Sequence, residues 1–167
     1  MRLIYLLLLF PTLSLALSSD AGKPLNFTAD HTSLNETTNV LILTGHVELQ
    51  QGSTQLEANK LEVYRDKTGE TRQVIATGKL AHYHTLSDHS QKPLDAWGET
   101  IQYYPQQGQV VILGIGSTIK HGDNEIIGDH LVYDMPQQSI SSQQTTNASK
   151  SMIIVQPNSL TSSKQNS

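Results

Sequence analysis

Apolar and polar residues alternate with period two along much of the chain. Leu25, Phe27 and Ala29 alternate with Asn26, Thr28 and Asp30. Leu41, Leu43, Gly45, Val47 and Leu49 alternate with Ile42, Thr44, His46 and Glu48. Ile101 and Tyr103 follow the same rule against Thr100 and Gln102, and Val111, Leu113 and Ile115 form a further set. Such spacing puts one apolar face on each strand. Turn-forming clusters separate the runs: Asn35-Glu36-Thr37-Thr38-Asn39, Asp66-Lys67-Thr68-Gly69, Ser87-Asp88-His89-Ser90, Pro105-Gln106-Gln107-Gly108 and His121-Gly122-Asp123-Asn124. No stretch combines a helical period with a cap at each end. The pattern predicts an all-β chain of antiparallel strands.

The chain also repeats itself. Residues 40–63 lie on residues 110–133 without a gap: Ile42 on Ile112, Leu43 on Leu113, Gly52 on Gly122, Ala58 on Gly128, Asn59 on Asp129 and Leu61 on Leu131. Within this lies a shorter unit, a small residue followed by Asp, Asn or Glu. Its copies begin at Ala29-Asp30, Ala58-Asn59, Gly98-Glu99 and Gly128-Asp129. Apolar residues precede the small residue by two positions (Phe27, Leu56, Ala96, Ile126) and follow it by three and five (Leu61 and Val63, Ile101 and Tyr103, Leu131 and Tyr133). The first copy is weaker, with Thr32 and Leu34 in the later places. The two offsets differ in parity, so the apolar face would switch sides on a flat strand. A bulge or corner at the small residue resolves the conflict. Each unit then reads as two short strands joined at a bend. Stacked copies predict a long twisted sheet, or two sheets face to face, around an apolar interior.

The N-terminus departs from this pattern. Arg2 precedes an unbroken apolar run, residues 3–10, which Pro11 ends, and Ser14-Leu15-Ala16 offers small residues at a cut. These are the parts of a cleaved secretory peptide. The run is about half of the roughly 20 residues a spanning helix needs. Residues 1–16 are therefore expected to be a removed signal peptide, residues 17–157 one β domain, and residues 158–167 a disordered polar tail. The mature chain is expected to be soluble and outside the cytoplasm. Its formal charge moves from −4 to −5 with the loss of Arg2. An acidic chain without a basic block is poorly suited to nucleic acid. The absence of cysteine excludes thiol chemistry, disulfides and cysteine metal sites.

The order of these pieces resembles the OstA-like β family of periplasmic lipopolysaccharide-transport proteins. The resemblance rests on Pro24-Leu25-Asn26-Phe27-Thr28-Ala29-Asp30, on residues 40–52, Ala58-Asn59-Lys60, residues 76–83, 96–103 and 128–133, and on Val155-Gln156-Pro157. It implies a long, open-ended, twisted β-jelly roll that shields lipid A acyl chains and stacks head to tail between inner-membrane and outer-membrane transport components. It also implies an interior groove lined by Leu25, Phe27, Tyr83, Ile101 and Tyr103. The chain departs from the family pattern at Leu113-Gly114-Ile115-Gly116. A membrane-anchored relative would need a longer apolar run, and a relative with an outer-membrane barrel a longer chain. The alternative of another class is an exported structural or adhesin-like β-repeat without a lipid ligand.

Other constellations carry less. His82 and His84 share a strand face, with His89 beyond, so zinc is geometrically possible, but surface histidines are the expectation. Asp123, Glu125 and Asp129 lack a calcium-loop signature, and no spacing selects a catalytic triad. The expectation is no metal, no cofactor and no enzymatic activity. Trp97, the sole tryptophan, is expected either in the core or in the groove lining. The terminal strands, at residues 25–29 and 152–155, lack the charges that block edge pairing. Leu25, Phe27, Ile153 and Val155 are the expected oligomer edges.

Overall fold

The computed structural model describes Asp20, residues 22–87, 92–143 and 151–155. The signal segment, the Asp88-His89-Ser90 turn residues, Lys150, Gln156-Pro157 and the polar tail lie outside the described residues. Ten strands follow in order: β1 (Asn26–Thr28), β2 (His31–Asn35), β3 (Val40–Gln51), β4 (Thr54–Arg65), β5 (Thr71–Leu86), β6 (Pro93–Tyr104), β7 (Gln109–His121), β8 (Asn124–Asp134), β9 (Ser139–Ser142) and β10 (Met152–Ile154). All pairs are antiparallel, in the order β1-β3-β4-β5-β6-β7-β8-β10, with β2 on β3 and β9 on β8. The sheet does not close on itself, and no helix occurs among the described residues.

Every long strand changes register at its middle. The shifts fall at Thr44/Val47, Glu57/Lys60, Thr77/Ala81, Trp97/Thr100 and Leu113/Ser117. Here the parity conflict of the sequence is resolved. On β4 the buried residues run Thr54, Leu56, then Leu61, Val63; on β6 they run Leu94, Ala96, Gly98, then Ile101, Tyr103. In the first, weaker unit the chain breaks outright, and Ala29-Asp30 separates β1 from β2. The later places of that unit are exposed, Leu34 by 48 %.

The corners bend the sheet onto itself. Val74 and Tyr83 are nine residues apart on β5, about 30 Å along an extended strand. Tyr103 pairs with Val74, yet its ring lies 6.0 Å from that of Tyr83. A flat sheet cannot do this. The strands fold at the bulges into two facing leaves. The first leaf holds the later halves of β3, β5 and β7 and the earlier halves of β4, β6 and β8, with β1 and β10 at its margins. The second holds the other halves, with β2 and β9 at its margins.

Each corner is also wired to the next strand. The polar residue of the small-plus-acidic unit occupies space beside a glycine on its neighbour and, in most cases, accepts a backbone N–H that the bulge frees. Asp30 Oδ2 accepts from His46 N at 3.1 Å, beside Gly45. Asn59 Oδ1 accepts from Lys79 N at 3.2 Å, beside Gly78. Glu99 lies over Gly114, and Asp129 Oδ1 accepts from Gly116 N at 3.3 Å. The departure at Leu113-Gly114-Ile115-Gly116 is a wider bulge. Gly114, Ile115 and Gly116 oppose Asp129 alone, where Gly45 and His46 oppose Asn59. Gly114 and Gly116 both adopt positive φ (131° and 73°), and Ile115 is thrown outward, 89 % exposed.

Candidate functional site: an apolar interior between two leaves

The inner faces form continuous apolar rows from margin to margin. Across the first leaf, direct strand partners run Phe27, Leu49, Leu56, Tyr83, Ala96, Ile119, Ile126, Ile153. Across the second they run Leu34, Leu41, Val63, Val74, Tyr103, Val110, Tyr133, Ile140. The middle members are closed off from solvent, while Leu34 and Ile153 at the margins are 48 % and 64 % exposed. Each row therefore ends at one margin in an exposed apolar residue, Leu34 on β2 and Ile153 on β10, and at the other in a half-buried one, Ile140 and Phe27.

The residues singled out from the sequence sit on this inner side. Tyr83, Ile101 and Tyr103 are buried, and Leu25 and Phe27 are half-buried against the core. Ile153 and Val155 are exposed at the β10 margin. Burial drives the Tyr83 hydroxyl far above its ordinary value, reinforced by Tyr103. Burial, with the nearby Asp20 charge, pushes Tyr103 up to about 12. Both phenols therefore stay neutral donors.

Polar side chains at the free ends of the leaves join them. Tyr103 Oη, on the second leaf, donates to Gln51 Oε1 on the first at 2.9 Å. Gln138 Nε2, beyond the second leaf, donates to Ser87 Oγ at 2.9 Å. Tyr83 Oη reaches Met135 Sδ at 4.0 Å. Gln51 Nε2 in turn donates to the Lys23 carbonyl at 3.0 Å. Asp20 completes this rim by accepting from Ser53 N, Ser53 Oγ and Lys23 Nζ. Burial alone would raise the Asp20 carboxyl; its hydrogen bonds from Lys23 and Ser53 outweigh that and hold it low. The neutral bonds of this rim, Tyr103 to Gln51 and Gln138 to Ser87, each contribute about 1 kcal/mol net. Sequence reasoning missed this rim. Gln51 and Tyr103 are 52 positions apart, and no local pattern links them.

The outer face holds what remains. Trp97 belongs to neither core nor groove, contrary to expectation. Ala96 takes the inward place, so Trp97 points out, stacked on His82 at 4.9 Å with Lys120 Nζ 5.7 Å from its ring centroid. Leu80, Trp97, Gly116, Thr118, Lys120 and Glu125 line an open hollow of about 290 Å³ there. His82 and His84 do share a face, and both meet Asp95 Oδ1 at 2.9 Å. Glu125 faces Lys120 at 3.5 Å and Asp129 serves the Gly116 corner. Among the described residues, no group of three or more His, Cys, Asp or Glu side chains is placed to hold a metal ion.

The Asp95 cluster makes a pH prediction. Burial tends to raise its carboxyl, but the hydrogen bonds from His84 and His82 outweigh burial and hold it below 3.8. A depressed carboxyl stabilises the fold above that value, and the contribution is lost as pH falls through the folded-state value. Asp95→Asn is expected to melt lower than the wild type at pH 6, by about 1 kcal/mol for a partly exposed pair. The gap in Tm should close as pH falls below 3.8. Thermal melts across that range check it, and a constant gap would refute it.

An open antiparallel sheet, folded along bulges around a margin-to-margin apolar interior, defines an open β-jelly roll. The family model of LptA/(LptD N-terminal domain) lipopolysaccharide-transport proteins matches residues 26–139, and the chain belongs to that family. The lipopolysaccharide export system protein LptH of Pseudomonas aeruginosa is 33 % identical over 81 % of this chain and 77 % of its own. The corresponding proteins named LptA of Haemophilus influenzae and Escherichia coli K12 are 29 % and 28 % identical, each over 75 % of this chain and 73 % and 67 % of theirs. The crystal structure of the Pseudomonas aeruginosa LptH, described as the LptA homologous periplasmic component of the lipopolysaccharide transport device, superposes with a TM-score of 0.75. It is 28 % identical and is covered over 99 % of its length and 83 % of this one.

Proposed function

We propose that this protein is a periplasmic lipopolysaccharide carrier and bridge, which holds the acyl chains of lipid A between its two leaves during passage from the inner to the outer membrane. The observation that carries this is the pair of apolar rows running unbroken across both leaves. A myristoyl-length chain exposes about a dozen methylenes at roughly 0.8 kcal/mol each, so water opposes its passage by on the order of 10 kcal/mol. A greasy interior inside a shell rich in Gln, Ser and Thr removes that barrier. The mature charge of −5 that follows loss of Arg2 makes the acyl chains, rather than the phosphates, the main handle. The chain acts as a carrier, without catalysis. Its partners are the inner-membrane and outer-membrane transport components. Residues 1–16 serve as the export signal, and mature protein from the periplasm should begin near Leu17.

A photo-crosslinking residue at Phe27 or Ile101, on the inner side, should capture lipopolysaccharide. The same residue at Asn26 or Gln102, on the outer side, should capture several-fold less. Equal capture from both faces would overturn the reading. A structural β-repeat without a lipid ligand would give no capture from either.

A further inference from the structure

The outer face of the first leaf carries a construction that an acyl-chain interior does not use. Trp97 stands on β6 between its direct strand partners, His82 of β5 and Thr118 of β7. The His82 ring lies parallel to the indole, with 2° between the planes and 4.9 Å between centroids, and covers its side towards β5. Asp95 Oδ1 meets both His82 and His84 at 2.9 Å, so the covering ring is itself held. The other side of the indole turns towards β7, where the open hollow of about 290 Å³ lies. Gly116 lines it without a side chain and is fixed by its N–H bond to Asp129. Thr118 and the Lys120–Glu125 pair supply its polar groups, and Leu80, 64 % exposed, stands at the β5 end. The wide bulge at Gly114-Ile115-Gly116 keeps this space clear, because it puts a glycine beside the hollow and turns Ile115 away from the sheet.

We infer that this hollow is a glycan-binding site for β-linked N-acetylated amino sugars, the chemistry of the wall polymer of the periplasm. A held indole face beside a few convergent polar groups suits a sugar ring. The face of an aromatic ring is electron-rich, and the C–H groups on one side of a pyranose, polarised by their oxygens, lie flat against it. Lys120 and Glu125 oppose each other in charge at 3.5 Å, so the hollow offers no net attraction to a phosphate. Their opposite signs match the two ends of an acetamido group: its N–H donates to Glu125 and its carbonyl accepts from Lys120. Lys120 Nζ lies 5.7 Å from the indole centroid, half-exposed on a flexible stem, and yields to a ligand without burial of its charge. The lining runs from Leu80 on β5 to Glu125 on β8, three strand spacings or about 14 Å, which is longer than one sugar unit and calls for an oligomer. Leu80 at the far end takes an acetamido methyl of a neighbouring unit. A lipid held in the interior lies behind this leaf, and the sheet keeps its own sugars from the hollow. The site stands apart from the carrier reading, and neither depends on the other.

Trp97 is the sole tryptophan, so its emission reports on the site directly. The mature protein is titrated with a soluble β-1,4-linked N-acetylglucosamine oligomer, with a β-1,4-linked glucose oligomer of the same length, and with lipopolysaccharide core oligosaccharide freed of lipid A. The acetylated oligomer should change the emission saturably, and the glucose oligomer should bind about tenfold more weakly for want of the amide. Glu125→Gln should weaken binding of the acetylated oligomer about tenfold, by removing a charged acceptor at nearly constant shape. Glu36→Gln, in the exposed turn between β2 and β3, should bind like wild type. Trp97→Leu, read by co-sedimentation with isolated peptidoglycan and with its fold checked by circular dichroism, should stay in solution where the wild type pellets. An emission that does not saturate with the acetylated oligomer, or a Glu125→Gln variant that binds it as well as wild type, would overturn the site. Binding of the core oligosaccharide as tight as that of the acetylated oligomer would overturn the assignment to wall glycan.

Discussion

Replacing Gly98 by valine is expected to unfold the protein or cost it at least about 3 kcal/mol, with Gly98→Ala costing about 1–3 kcal/mol. Gly98 sits at the corner of β6, buried, where the two leaves diverge. A Cβ there would lie 2.6 Å from Ile112 Cγ2 and 3.0 Å from the Leu113 carbonyl oxygen. Ile112 is fully buried and Leu113 offers backbone, so neither neighbour can yield. The cost is steric, because no positive φ accompanies this glycine. Gly22→Ala is the matched control. Nothing lies within 4 Å of its Cβ position, and its φ is likewise ordinary. Urea denaturation of the three variants measures the differences, and a Gly98→Ala variant as stable as Gly22→Ala would refute the close-packed corner.

Truncation before Lys150 is expected to leave a folded monomer that binds lipid but no longer assembles, whereas the full chain forms concentration-dependent head-to-tail oligomers. β10 is three residues long, held to β8 only at Glu125, Ile126 and Ile127, and residues 151–155 are all exposed. Met152, Ile153, Ile154 and Val155 carry no charge that would repel another strand. At the far margin Phe27 begins the same apolar row that Ile153 ends. Joining the two margins of successive molecules extends the row without a break. It is also a heterologous contact, which builds open filaments rather than closed dimers. The truncation removes little from the fold, because the core lies in β3 to β8. Light scattering against concentration for both forms decides it. A full-length chain that stays monomeric, or a truncated one that assembles equally well, would refute edge-to-edge assembly.

The sheet has more margin than the sequence suggests. β2 and β9 flank the second leaf, and neither is readable as a strong strand. β9 is Ser-Ile-Ser-Ser, with Ile140 its one apolar residue. Its alternation is too short to register, and its pairing with β8 comes from the chain reversing at residues 135–138. Likewise β2 is exposed throughout, so burial puts no apolar demand on its sequence.

Much of the molecule was nonetheless determined by sequence alone. The alternation set which side chains face inward on β3 and at Ile101 and Tyr103 of β6, because a strand presents successive residues to opposite faces. On β7 it pointed to the wrong face: Val110 and Ile112 are buried, not Val111 and Leu113, and the bulge throws Ile115 outward, 89 % exposed. The small-plus-acidic units located the corners, because a parity change forces an extra residue out of the ladder. The seventy-residue repeat matched the β3–β4 hairpin to the β7–β8 hairpin. What only the tertiary structure decided is which inner faces meet, and how their rims are joined. Periodicity reports that a face is apolar, not the angle through which five bulges turn it. That angle brings Tyr83 to Tyr103, and Gln51 to Tyr103 across 52 positions. It accumulates over the bulges of five successive strand pairs, and no single residue encodes it. Trp97 shows the same limit. Its parity was readable from Ala96, but its place between His82 and Lys120 depends on two neighbouring strands lying in register beside it.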